Sequence, residues 1–382
     1  MEKELSAYLA AQSLPALQVK GLSSMKGIKG VDARNIHGLW TGEGGIAELT
    51  LQGEDDATFP IIAKSIGTYK SVGDGLGLQD HWSYYNEMSF YETDLADKIC
   101  NAGAPCPRPL FVHRSTSGQP EVATAGRLEQ NLRRFGVKPE GGGEEKDEGI
   151  ICMTKLPGGP WRPSADRTRD ALSWLARLHA LFWGNARADA AVAAGVSDQA
   201  CFWHLDNRQI ELGRMSQKSP LRLAAAGIDA RLKADAMQTL CHGDPKGANI
   251  MFDNELGVSM YDFQWLGKAP PTKDLAYFFA TAAMNRSRWN KDEEEGLLRY
   301  YYGELCRLLE AQGDAKPSFE YLFSTYQLAV VDYGRWIEGG FPWGNMALIG
   351  GHTEAVLKTL NEGKTLKSEQ DYHDRIFECF PP

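Results

Sequence analysis

The 382-residue chain has no long apolar run, and no stretch of it approaches the roughly 18 uninterrupted apolar residues of a membrane-spanning helix. It also shows no presequence. Residues Met1 to Ser6 carry acidic charge without the apolar segment of a secretory signal or the Arg-rich character of a transit peptide. Together these absences predict a cytoplasmic protein, or the mature form of an organellar one. The seven cysteines, at positions 100, 106, 152, 201, 241, 306 and 379, form no Cys-x-x-Cys pair and no zinc-spaced cluster with histidine. They are expected as buried free thiols. Positive charge is in deficit, with 41 Lys and Arg against 50 Asp and Glu and a formal net charge of −9, which argues against nucleic acid or an anionic membrane as partner. Asn285-Arg286-Ser287 matches a glycosylation sequon, but no secretion signal gives the match meaning. No internal repeat is visible.

What the chain does have is core material. Its residues are 43% hydrophobic, 24% charged and 10% aromatic, enough for a sizeable interior, and its length suggests two lobes. Residues 4 to 18 have the pattern of a short amphipathic helix, and Gly21, Gly27 and Gly30 punctuate a mobile leading segment, 1 to 30. Three strands are predicted at 34 to 40, 46 to 52 and 59 to 66, with the turn Thr41-Gly42-Glu43-Gly44-Gly45 between the first two. A glycine-bearing loop at 70 to 80 precedes one helix at 81 to 101, read from Tyr84, Met88, Tyr91 and Leu95. Two further strands, 110 to 113 and 149 to 153, flank a polar insertion at 114 to 148. The Pro/Gly-rich stretch "LPGGPWRP" at 156 to 163 then marks a change of character, dividing a β-rich lobe, 1 to 155, from a helical lobe, 156 to 382. The predicted class is α+β. In the second lobe Leu172, Leu175, Leu178 and Phe182 form an apolar stripe with Ser164 as N-cap, and helices are expected near 206–215, 219–237, 274–286, 291–312, 317–338 and 346–361.

The stretch "HGDPKGANIMFD", residues 242 to 253, concentrates polar chemistry directly before an apolar strand. Ile250 to Phe252 and Val258 to Tyr261 should pair as a hairpin across Asp253 to Gly257, bringing Asn249 and Asp262 together at its open end. An amide oxygen and a carboxylate converging there suit Mg²⁺, which takes one or two protein ligands and completes its shell with water and phosphate oxygens. Asp244 and Lys246 share that turn, adding a base and a cation.

The spacing Asp-x-Lys-x-x-Asn, followed by Asp262-Phe263, resembles the catalytic loop and metal aspartate of the protein-kinase superfold. With His242-Gly243-Asp244 in place of His-Arg-Asp, the chain looks like the aminoglycoside and choline phosphotransferase branch. "LCHGDPKGANIMF", "YDFQWLGKAPPTKDLAYFF" and "ALSWLARLHALFW" are most similar to the ecdysteroid-kinase-like, or CHK kinase-like, family, over roughly residues 30 to 360. The resemblance implies a bilobal protein-kinase-like fold and an ATP-dependent, Mg²⁺-dependent transfer of the γ-phosphate to a hydroxyl of a small molecule. It implies Asp244 as base and Lys246 as charge neutraliser, Asn249 and Asp262 as metal ligands, and Lys64 as an anchor for the ATP phosphates, paired with Glu87 of "EMSFY". Gly42, Gly44 and Gly45 would lie over the phosphates, and Met153, Thr154 and Leu156 would border adenine. His242 is expected to bond backbone near Asp262. Asp274 is an N-cap by its chemistry and by resemblance a buttress of the catalytic loop.

The residues do not identify the acceptor; the resemblance implies a small alcohol, with sterol-like molecules and amino alcohols among the candidates. Trp265, Trp336, Phe341 and Trp343 are candidates both for an apolar acceptor pocket beside Asp332 and Arg335 and for ordinary helical core. A protein kinase fits less well, since Asp262 and Asp274 are too close for a long activation segment and no Ala-Pro-Glu follows. The alternative from another class is a catalytically silent scaffold of the same fold.

Overall fold

The strand-forming residues of the first third of the chain meet in one antiparallel sheet. The computed structural model describes residues 28–39, 44–53, 56–66, 76–114, 149–284, 288–340 and 342–382. The predicted helix at 4 to 18, Gly42, most of the glycine loop at 70 to 80, the insertion from 115 to 148, the sequon and Phe341 lie outside them. The chain divides into two compact units, Met1–Asp97 with Pro107–Leu156, and Lys98–Cys106 with Pro157–Pro382.

The first unit is built on strands β1 (Ile28–Gly38), β2 (Gly44–Gly53), β3 (Thr58–Ile66), β4 (Pro109–Arg114) and β5 (Gly149–Thr154), ordered β1-β2-β3-β5-β4 with every neighbour antiparallel. Alternation along β2 turns Ala47, Leu49 and Leu51 inward against Ile61, Ala63, Leu110 and Cys152. Burying a leucine or isoleucine side chain contributes about 1.5–3 kcal/mol, so this layer fixes the register of β2 on β3. β1 begins at Ile28, inside the segment expected to be a mobile lead-in. The helix expected at 81 to 101 is two, Leu76–Glu92 and Leu95–Asn101. Thr93 makes the break: its hydroxyl donates to Phe90 O at 2.7 Å and accepts the Leu95 amide at 3.3 Å, closing one helix and opening the next.

The second unit is mainly helical. Helix Ala165–Leu181 starts at Ser164, whose Oγ accepts the Arg167 amide at 3.3 Å, and packs on helix Lys291–Gln312. Helix Phe319–Gly339 packs on Thr272–Phe278, Pro220–Lys233 and Met346–Asn361. The helix expected at 274 to 286 starts at Thr272 and widens into a π turn over Phe279–Ala283, while the one expected at 206 to 215 is a 3-10 turn followed by Gln209–Arg214. Two helices are unexpected: Asn185–Ala194, which buries only Ala188 and Ala191 and carries little apolar contrast, and Glu369–Cys379, which is amphipathic and buries Tyr372 and Ile376 at i, i+4 spacing. All seven cysteines are thiols rather than disulfides, and Cys100, Cys306 and Cys379 are half-buried rather than buried.

Candidate active site

Two small antiparallel pairs frame the polar turn of the second unit. β7 (Thr239–Cys241) pairs with β10 (Gly267–Ala269), while β8 (Ile250–Asp253) forms a hairpin with β9 (Gly257–Met260) and takes β6 (Gly159–Pro160) on its other side. Residues 242 to 249 connect β7 to β8. The chain reverses at Gly243, where φ is +84° and a Cβ would stand 2.0 Å from Trp265 O, so only glycine fits.

Asp274 holds that reversal. Its Oδ2 accepts the His242 amide at 2.7 Å and its Oδ1 the Gly243 amide at 2.8 Å. Asp274 is therefore not an N-cap: its helix begins at Thr272, with Pro271 at the capping position, because the carboxylate serves the turn and not the helix. Behind it, His179 Nε2 lies 3.2 Å from Asp274 Oδ2 and Nδ1 lies 2.7 Å from the Tyr301 hydroxyl. Donor atoms of His179, Cys241 and Asp274 fall within 4.8 Å of one another, but all three side chains are engaged within the fold, Cys241 donating to Pro270 O at 3.4 Å.

His242 ties the turn to the hairpin. Its Nδ1 accepts the Asp244 amide at 3.3 Å, which leaves the proton on Nε2 to be donated to Tyr261 O at 3.1 Å. Burial lowers its pKa against the raising pull of Asp274, Asp244 and Asp262, so the ring is neutral.

Asp244 is 2% exposed. Its Oδ2 accepts from Lys246 Nζ at 2.5 Å and Asn249 Nδ2 at 3.0 Å, whereas its Oδ1 is buried without a hydrogen bond of ordinary geometry, the Tyr277 phenol being close enough to interact with the carboxylate. Burial raises its pKa; Lys246 opposes the shift and the charge of Asp262 adds to it. For Lys246 burial works against the charge, but Asp244 and Asp262 outweigh it and push the pKa up, so the ammonium stays charged. Asn249 donates through Nδ2 to both Asp244 O and Oδ2, at 3.0 Å each, leaving Oδ1 as the oxygen it can offer a cation. The hairpin partner of Asn249 is Tyr261, whose amide donates to Asn249 O at 3.1 Å, and not Asp262 as expected. Asp262 comes one residue later in a left-handed conformation, φ 70° and ψ 65°, rare for a residue with a side chain. Its charge is felt at His242, Asp244 and Lys246.

In the first unit Lys64 Nζ lies 2.5 Å from Glu87 Oε2, with side chains 5% and 2% exposed, and 4.9 Å from the centre of the Tyr84 ring. Gly44 opens β2 where a Cβ would meet Ser65 O at 2.0 Å, and the Gly45 amide donates to Ser65 Oγ at 3.2 Å, so both glycines are tied to β3. Met153 and Thr154 end β5, Thr154 exchanging bonds with Arg108 at 2.9 Å, and the half-buried Leu156 follows.

Of the acceptor candidates, Trp265 and Trp336 lie edge-on or tilted to the half-buried Phe202, at 6.1 Å and 4.9 Å between ring centres. Tyr277 joins them at 5.4 Å, and its phenol pKa is raised by burial and then by the charge of Asp244. Asp332 and Arg335, each 1% exposed, form an internal ion cluster with Lys273: Arg335 Nε donates to Asp332 Oδ1 at 3.0 Å, and Lys273 Nζ is 3.3 Å from Oδ2. Sequence reasoning missed Phe202, Tyr277 and Glu211, the last accepting from Trp336 Nε1 at 3.3 Å. No periodicity marks them.

An antiparallel-sheet unit and a mainly helical unit give the chain a fold of the protein-kinase-like class. The model of the APH phosphotransferase enzyme family matches residues 89–310, and the chain belongs to that family. The activity of that family is phosphotransfer. No curated protein matches the chain. Solved structures similar to it include a macrolide 2'-phosphotransferase from Brachybacterium faecium (15% identity, 89% of this chain and 96% of that one, TM-score 0.40). A choline kinase from Streptococcus pneumoniae is 13% identical over 89% of this chain and 95% of that one, with TM-score 0.41. A Plasmodium vivax ethanolamine kinase is 12% identical over 86% and 80%, with TM-score 0.44. Among the described residues no helix is long and apolar enough to cross a membrane.

Proposed function

We propose that Asp244 is the catalytic base of a small-molecule kinase, with Asn249 and Asp262 as its Mg²⁺ ligands and Lys64 as an anchor of the ATP phosphates. The buried Oδ1 of Asp244, without a hydrogen bond of ordinary geometry, carries this reading. A buried acceptor without such a bond costs about 1–3 kcal/mol, a cost removed by a substrate hydroxyl that donates to it. The Asn249 amide oxygen and the Asp262 carboxylate are the hard donors Mg²⁺ prefers, and the ion when bound supplies charge neutralisation across phosphate oxygens.

In this mechanism Oδ1 orients the acceptor hydroxyl and takes its proton as the acceptor oxygen bonds to the γ-phosphorus and the bond to the bridging oxygen breaks. Lys246 and Asn249 hold Oδ2, so the carboxylate cannot rotate away. The ammonium of Lys246 adds positive charge where phosphate charge develops. Glu87 holds Lys64 through their 2.5 Å ion pair.

For the acceptor we infer an alcohol with an apolar or ring face. Phe202 is half-buried among Trp265, Tyr277 and Trp336, and the amide of the preceding Cys201 bonds Trp265 O at 3.2 Å directly behind Gly243. The aromatic wall thus adjoins the turn that bears Asp244, and the narrower CHK kinase-like resemblance supports the same class.

The test is a screen of sterols, amino alcohols and other alcohols with Mg-ATP, read by mass for a phosphate gain. Transfer by the wild type and its loss in Asp244→Asn is the expected result. Transfer surviving in Asp244→Asn would remove Asp244 as the base. A silent scaffold would show no Mg-ATP-induced rise in melting temperature.

A further inference from the structure

Cys100 and Cys106 flank the loop 101–105 of the second unit with their Sγ atoms 3.4 Å apart. The loop is already folded for this approach. Ala102, Gly103 and Ala104 donate backbone bonds to Lys98, Cys100 and Ile99 at 3.0, 3.0 and 3.2 Å, and Gly103 takes φ +80°. Its far end is anchored: Pro105 O accepts the Met260 amide at 3.2 Å and Trp174 Nε1 at 2.8 Å, and Gly103 O accepts from Arg177 at 2.9 Å. A disulfide has an S–S length near 2.05 Å, so closure needs an approach of only about 1.4 Å.

The two thiols differ in access. Cys106 is 4% exposed, whereas Cys100 is half-buried and within reach of a small reagent. The thiol of Cys100 donates to Cys106 O at 3.3 Å, so its proton does not separate the sulfurs. Neither side chain is among the residues proposed above for phosphoryl transfer.

We propose that Cys100 and Cys106 are a reversible oxidation site, closed to an intramolecular disulfide by a low-molecular-weight disulfide such as oxidised glutathione. The Cys100 thiolate attacks one sulfur of oxidised glutathione, whose S–S bond breaks to release one reduced glutathione. The Cys106 thiolate then attacks Cys100 Sγ, expelling the second glutathione. The two cysteine protons end on the two glutathione thiols, and the protein has lost two electrons to the oxidant. The ring so formed encloses the loop whose Pro105 carbonyl holds β9, two residues before Asp262.

The experiment uses the folded full chain, exposed to oxidised glutathione, quenched with an alkylating agent and digested with trypsin. Both cysteines fall in the peptide Ile99–Arg114, since Arg108 is followed by Pro109. That peptide should lose two hydrogens, resist alkylation and recover both thiols with dithiothreitol. Closure in the native chain should exceed that in the urea-unfolded chain by at least roughly tenfold, reflecting the held geometry. Cys106→Ser should stop at a single glutathione adduct on Cys100, and Cys100→Ser should leave Cys106 unmodified. If Cys106→Ser does not fold, the wild-type peptide and Cys100→Ser decide the matter. A wild-type Cys100 that keeps its glutathione adduct, or a peptide alkylated at both cysteines while Cys306 or Cys379 is oxidised, overturns the proposal.

Discussion

Asp274 accepts the amide of Gly243 at 2.8 Å, the residue immediately before Asp244, and takes the amide of His242 on its other oxygen at 2.7 Å. One buried carboxylate thus sets the backbone from which Asp244 projects. An amide in its place would turn an NH₂ group toward one of two N–H donors, leaving at least one buried backbone amide unsatisfied at a cost of about 1–3 kcal/mol. The Asp274→Asn variant should melt several degrees lower, and its turnover should fall by at least roughly tenfold through misplacement of Asp244. Thermal melts and single-turnover kinetics check this, and a variant normal in both would deprive Asp274 of its positioning role.

Much of this site could be read in advance because its chemistry is local. Asp244, Lys246 and Asn249 fall within one turn, and the β8–β9 hairpin is announced by short apolar runs around Asp253 to Gly257. The Lys64–Glu87 pair came only through resemblance, since two residues 23 positions apart carry no pattern of their own. Phe202, Tyr277 and Trp336 meet because separate segments pack together, a tertiary outcome that no period encodes. Asn249 faces Tyr261 and not the expected Asp262 because β9 ends at Met260, one residue earlier than its apolar run suggests. Helix Asn185–Ala194 escaped notice since alanine gives little amphipathic contrast.

Glycine substitutions should separate close approach from mere helix content. Gly243→Ala forces a Cβ to within 2.0 Å of Trp265 O at φ +84°, so soluble folded protein or turnover should be lost. Gly303, inside helix Lys291–Gln312, has nothing within 4 Å of a new Cβ. Gly303→Ala should therefore raise stability by about 0.5–1 kcal/mol without changing turnover. Denaturant melts of both variants test the contrast, which would collapse if Gly243→Ala were the more stable of the two.

Glu294 should give the fold an acid-sensitive joint. It accepts from Trp289 Nε1 at 2.7 Å, the Tyr326 hydroxyl at 2.5 Å and His352 Nε2 at 2.9 Å, joining three helices. Burial raises its pKa, but the bonds from His352, Tyr326 and Trp289 outweigh it and hold the pKa below the ordinary glutamate value. A depressed folded pKa contributes stability above the unfolded pKa that is lost as pH falls through the folded one. Glu294→Gln should thus be less stable than wild type near neutrality, by about 1–3 kcal/mol, with the gap closing below the ordinary glutamate range. Melts across pH measure it, and a gap that widens in acid would contradict the assignment.

The acid limb of turnover should report Asp244. Burial raises its pKa above the ordinary aspartate value, and a protonated carboxyl cannot accept the acceptor's proton. As pH falls, kcat/KM should decline at a pH higher than an unperturbed aspartate would give. A limb at or below the ordinary aspartate range would mean that another group controls the rate.

The base and the metal ligand should fail differently. Asp244→Asn keeps the shape and leaves Asn249 Oδ1 and Asp262 in place, so Mg-ATP should still raise the melting temperature nearly as much as in wild type. Turnover should fall by roughly 10²-fold or more, because no carboxylate remains to take the hydroxyl proton. Asp262→Asn removes a charge felt at Asp244 and Lys246, and with it an oxygen ligand of the proposed Mg²⁺ site. Its Mg-ATP-induced stabilisation and its turnover should both drop, and both should recover in part at high Mg²⁺, since the defect lies in occupancy of the metal site. Asp244→Asn should show no such recovery, because its missing proton acceptor is not restored by metal. If high Mg²⁺ rescued Asp244→Asn and left Asp262→Asn unchanged, the two roles would have to be exchanged.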